Sequence, residues 1–248
     1  LAVYALLAQL DPTLDTGSFQ SVLAAAAQGT AASMERLVDA LQRQLGIDDA
    51  PLSAGNNNRD ALYQAIYELQ GNARYQSLAG KLLLTPVSSD NVSLTVNTAK
   101  IDFGEFISLK TLSPFSLLPN GAVEGAADAL SSVWQSVHAA DYAAWQSDLS
   151  LTDAQRAAGQ ATFSNAWYTD RAGMLGALVQ ANVDDTTTIA RRAGDPESLV
   201  YLDRTTATQI NVGRAPAANL PTEYVIFGAD TAEGGLDLAG AEQADRIY

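Results

Sequence analysis

The chain has 248 residues, 47% of them hydrophobic, with 28 acidic against 14 basic side chains and a formal net charge of −14. That length and apolar share can build a real core, which excludes a disordered tail. The acidic excess excludes a phosphate-backbone binder, so nucleic acid is no partner. The lack of cysteine removes disulfides and thiolate metal sites.

Val3, Leu6, Leu7 and Leu10 recur at helical spacing up to Asp11-Pro12. Leu1 opens inside that pattern without a Met, which points to excision from a longer protein; no charged-then-apolar leader precedes it, and no apolar run reaches the roughly 20 residues of a membrane span. A second helix is predicted from Ser18 to Gly29, and a third on the stripe Met34, Leu37, Val38, Leu41 and Leu45, closed by Gly46. After a polar connector over 47–58, Leu62, Ile66 and Leu69 mark a fourth helix that Gly71 ends. Leu82 to Leu84 before Pro86, and the alternation of Val92, Leu94 and Val96, read as a short strand or hairpin.

From Thr98 a helix is predicted through Phe103, Phe106, Ile107, Leu109 and Leu112, stopping at Ser113-Pro114. Helical spacing returns with Leu130, Val133, Trp134 and Val137, and again with Tyr142, Trp145 and Leu149. Thr152-Asp153 caps a short helix, and Phe163 to Val183 carries the last long one. Beyond Asp184-Asp185 the composition shifts to Thr, Gly and Pro, with β-prone runs at Leu199 to Leu202, Thr208 to Val212 and Tyr224 to Phe227. The expected fold is mainly α: a compact multi-helix domain over 1–185, then a β-containing connector over 186–222. No self-similarity of 20 to 50 residues runs through the helical part, so a helical solenoid is not expected.

The last nine residues fit the nonapeptide G-G-x-G-x-D-x-U-x, with Gly240 first, Asp245 sixth and Ile247 eighth; Ala241 and Gln243 stand where glycines belong. In a calcium-binding parallel β-roll the glycines turn, the Asp holds Ca²⁺ between coils and the aliphatic residue points into a narrow core. Residues 223–248 are therefore expected to start such a roll, with Asp245, Gly240 and Asp230 as candidate calcium-site residues. The preceding nine, Thr231 to Ala239, keep Gly234 and Leu238 but place Leu236 where the Asp belongs.

Three patches carry a resemblance to large exported bacterial RTX proteins: Ala99-Lys100-Ile101-Asp102-Phe103-Gly104 with Leu112-Ser113-Pro114-Phe115; Tyr168 to Leu175; and Val225 to Asp230 running into the nonapeptide. The chain resembles the segment before the calcium β-roll, particularly in members whose front part is a lipase-like α/β-hydrolase. The resemblance implies type I secretion to the cell exterior, calcium-driven folding, an upstream hydrolase-like domain and a downstream β-roll. The chain itself would be a non-catalytic helical scaffold between them; a cap or lid of the lipase, and a glycan- or lipid-surface module using Trp134, Trp145 and Trp167, are its rivals. No Gly-x-Ser-x-Gly elbow occurs, so no catalytic serine is carried onto this chain.

His138, the only histidine, has Asp141 and Tyr142 after it at helical spacing, but without an elbow to activate it reads as a partly exposed structural residue. Asp102-Phe103-Gly104 repeats the kinase triplet without the rest of that machinery; the expected use is Asp102 at a helix start and Phe103 in the core. Asp184, Asp185, Asp195 and Glu197 do not match a calcium loop and read as a solvated acidic loop. Asp102, Asp170 and Arg171 are candidates for an internal ion pair, and the three tryptophans for core packing.

Overall fold

The chain passes between its two compact units three times, after Pro86, Pro114 and Gln146: one contains Leu1–Pro86 and Phe115–Gln146, the other Val87–Pro114 and Ser147–Tyr248. The computed structural model describes residues 9, 73–88, 90–184, 186, 188–190, 198–205, 208–213, 222–228 and 246–248. The helices expected before residue 72 lie outside the described residues, as do Asp230, Gly240, Asp245, Asp185, Asp195 and Glu197.

The first unit holds α1 (Ala73–Leu78), β1 (Leu82–Pro86), β2 (Phe115–Pro119), α4 (Ala126–Val137) and most of α5 (Ala139–Leu149). β1 and β2 pair antiparallel, from Leu82 opposite Pro119 to Pro86 opposite Phe115. Both prolines sit at strand ends, where a missing N–H costs least. α4 packs on α1 and β2; Leu130 and Trp134 of α4, Leu78 of α1 and Leu117 of β2 are all buried.

The second unit begins with α2 (Val92–Ala99) and α3 (Phe103–Thr111) and continues with α6 (Asp153–Ala157) and α7 (Asn165–Asp184). A five-stranded mixed sheet follows: β3 (Thr188–Ile189), β4 (Ser198–Asp203), β5 (Thr208–Gly213), β6 (Glu223–Phe227) and β7 (Arg246–Ile247), in the order β3-β5-β4-β6-β7. β4 and β5 form an antiparallel hairpin, while β3 with β5, β4 with β6, and β6 with β7 are parallel. β5 alternates buried Thr208, Ile210 and Val212 with more exposed residues; β4 is buried on both faces, as its apolar run requires. α7 packs against α2 and α3 and against β3 and β5. Tyr168, Ala172, Met174, Leu175 and Ala177 are all buried, so the helix is enclosed over most of its girth.

Three expectations change. The described residues are about 50% helical with 23% in strands, so the fold is mixed α and β rather than mainly α. Val92 to Val96, expected as a strand, belongs to the helix Val92–Ala99: the Asn91 side chain accepts from the Leu94 amide, and Thr95, Val96 and Ala99 form its buried side. Nor do the described C-terminal residues form a β-roll coil. β7 joins the mixed sheet as its outer described strand, with Val225 opposite Arg246, a separation of 246 − 225 = 21 residues where two nonapeptides would give about 18. Ile247, expected in a narrow core, is 57% exposed.

Gly173 of α7 faces Tyr201 of β4 so closely that a Cβ there would run into the phenol hydroxyl. Gly173→Ala is therefore expected to cost about 1–3 kcal/mol by overpacking. Tyr201→Phe in the same chain should recover part of that loss, because it removes the nearest clashing atom; urea midpoints of the two single variants and the double variant check the coupling.

Candidate functional site

Among the described residues of the second unit, a dense polar constellation is built on two neighbouring residues of α7. Ser164 opens the helix, its hydroxyl accepting from the Trp167 amide, and the buried stretch that follows carries Asp170 and Arg171. Charges in that setting must be paired and hydrogen-bonded.

Arg171 reaches α3. Its Nε donates to the Leu109 carbonyl at 3.0 Å and its Nη2 to the Lys110 carbonyl. These carbonyls belong to the last turn of α3, where intrahelical donors run out and the dipole is negative. α3 is defined sharply at both ends. Asp102 caps its start, accepting from Gly104 and Glu105, and Leu112 ends it in the left-handed region at φ 56°. Nη2 of Arg171 also pairs with Asp203 Oδ2 at 2.6 Å, with side chains 4% and 2% exposed. Asp203 closes β4, and its other oxygen accepts from the Thr205 amide, fixing the turn into β5. The guanidinium lies 4.7 Å from the centre of the Phe227 ring at the end of β6. Burial pulls the Arg171 pKa down and Asp203 pulls it back.

Asp170 serves the other end of the sheet. It takes Arg246 in two bonds, Nε to Oδ2 at 2.6 Å and Nη2 to Oδ1 at 3.0 Å, and accepts from the Tyr248 hydroxyl at 2.6 Å. Glu223 pairs with Nη1 of the same guanidinium. Burial and the Asp170 charge raise the Tyr248 pKa. An aromatic chain accompanies these charges: Phe103, Phe106, Phe163, Trp167, Phe227 and Tyr248 follow one another at centroid spacings of 4.8 to 6.5 Å. Beside it Lys100 donates to Asn165 at 2.8 Å over the Tyr168 ring, its pKa lowered by burial and by Arg156.

The other expected residues fall elsewhere. His138 lies in the first unit, only 9% exposed rather than partly open. Its Nε2 meets the Gln9 carbonyl, which can only accept, so that nitrogen carries the proton. Asp102 is the cap expected of it, and Phe103 is buried. Asp170 and Arg171 are in ion pairs, but each with a partner not singled out in the sequence, and Asp102 belongs to neither. Trp134 and Trp145 are buried. Asp184 at the end of α7 accepts from Gln180. Among the described residues no three His, Asp or Glu side chains are grouped to hold a metal, and no helix is long and apolar enough to cross a membrane.

Arg171→Leu leaves Asp203 buried without its counter-charge and is expected to cost about 3–5 kcal/mol; adding Asp203→Asn should return part of it, read from urea unfolding. Burial raises the Asp102 pKa above its usual 3.8, against the lowering pull of the Glu105 and Gly104 amides. A proton bound more tightly in the folded state stabilises fully below the unfolded value and is lost as the pH rises through the folded one. Asp102→Asn, which keeps an acceptor, should therefore gain on the wild type as the pH rises from 3.8, whereas Asp102→Ala loses the cap, about 1 kcal/mol.

Comparison with protein-family models, with curated proteins and with solved structures finds no match to the chain.

Proposed function

We propose that the chain is a non-catalytic structural module of a secreted, calcium-dependent RTX-type protein, placed in sequence between a hydrolase-like domain and a calcium β-roll. The observation that carries the structural role is the convergence on Arg171. The stretch capped by Asp102, the stretch around Asp170 and Arg171, and the strand ending at Phe227 supply α3, α7 and β6, which meet at one guanidinium. Asp102, Arg171 and Phe227, one from each patch, are thus framework residues. The side chains best suited to chemistry are likewise engaged with the backbone: His138 holds a carbonyl and Asp102 holds two amides. The secreted, calcium-dependent setting rests on the resemblance alone.

The purified chain is expected to leave short acyl esters unhydrolysed, and His138→Ala to lower stability by about 1–3 kcal/mol as a buried hydrogen bond is lost. Ester turnover that vanishes in His138→Ala would overturn the structural reading. The setting is tested separately on the natural protein that contains this chain. Calcium at about 10⁻⁴–10⁻³ M should raise its Tm over EDTA, and a Tm that ignores calcium sinks the RTX setting while leaving the structural role standing.

A further inference from the structure

We infer that β7 is an electrostatic latch, a strand held on the sheet by charge and released by salt while the rest of the unit stays folded. Among the described residues its backbone support is short. Tyr248 N donates to the Ile226 carbonyl at 2.9 Å and Gly228 N to the Tyr248 carbonyl at 3.1 Å, beside a register of two residue pairs. Among the described residues apolar burial is slight: Ile247 is exposed, and Tyr248 stacks on Phe227 with rings 5.4 Å apart and 18° from parallel. What remains is Arg246 gripped by Asp170 and Glu223, together with the Tyr248 hydroxyl on Asp170.

The two guanidinium clusters of the unit differ in solvent access. The Arg171 pair is sealed on both sides, whereas the Arg246 pairs are open on one side only: the Arg246 side chain is 38% exposed, the Asp170 and Glu223 side chains 10% and 14%. Dissolved ions screen an exposed pair strongly, with a Debye length falling from about 10 Å at 0.1 M to about 3 Å at 1 M, and reach a buried pair much less. Salt therefore acts on β7 and spares the hub. Release uncovers the face of the Phe227 ring on which Tyr248 stacks and makes β6 the outer described strand, able to accept another strand in the parallel sense that β7 now occupies. This device belongs to the chain itself and does not require the proposed setting.

The test is amide hydrogen exchange at Gly228 and Tyr248, the two amides that close the β7 contact, with the amides of β4 and β5 as reference. From about 0.05 to 1 M NaCl, exchange at the two reporters should speed up roughly two- to fivefold relative to the reference, the range expected for partly exposed ion pairs. In Arg246→Leu the reporters should be fast at low salt and insensitive to added salt; Arg246→Lys should restore part of both the protection and the salt response. Reporters that ignore salt in the wild type, or that speed up only together with β4 and β5, overturn the latch.

Discussion

The second unit depends on solving one problem: α7 places Asp170 and Arg171 side by side in a stretch that is otherwise apolar and enclosed. Stripping a guanidinium of water costs several kcal/mol even after relaxation, and that cost is met only by close counter-charge and full hydrogen bonding. Successive residues on a helix point about 100° apart. The two side chains therefore reach different parts of the unit, Arg171 towards α3, β4 and the end of β6, Asp170 towards β7. Each must find partners, and the partners set where those elements lie.

Arginine suits the first position for a geometric reason. Its planar fork offers five donors and a flat face at once. Two carbonyls of α3 and one carboxylate oxygen take the fork, and the Phe227 ring takes the face. A lysine ammonium could not cover both. The α3 end is prepared for this by Leu112, whose positive φ turns the chain away from the last exposed carbonyls at a cost of the order of 1 kcal/mol. Gly228 plays the matching part after β6. At φ +108° it lies against Arg204 and Thr205, where a Cβ would be both strained and crowded.

Much of this unit was legible in the sequence where local rules decide. Period and caps marked α7, α3 and α6, the last with a complete Thr152 and Gln155 capping box, and β-prone runs marked β4, β5 and β6. The error at Val92 to Val96 was local as well. Its valines and leucine alternate like a strand, but Asn91 caps the segment, and the Thr95 and Thr98 hydroxyls bond back to carbonyls four residues earlier. β2 was missed because its partner is β1, across the intervening α2 and α3. The site was half legible. Adjacent opposite charges on an apolar helix announce an internal ion pair, but the partners lie 61 and 62 residues away for the carbonyls and 76 for Arg246. Asp203 and Glu223 look like ordinary strand-end residues until the sheet forms.

The C-terminal nonapeptide shows how tertiary context overrides a repeat signature. In a roll, strands stack because each coil repeats the spacing of the last, and the aliphatic eighth residue enters the core. Here the strand is placed by what its charges can reach. Arg246, the residue between the motif's Asp and Ile, finds Asp170 and Glu223, and once it is seated the side-chain alternation of a strand fixes its neighbours. Tyr248 is then carried onto Phe227 and Asp170, while Ile247 is left facing solvent. The 21-residue separation follows from the position of that arginine, not from the length of two repeats. One charged residue that the motif leaves unspecified thus decides the placement of the residue that the motif does specify.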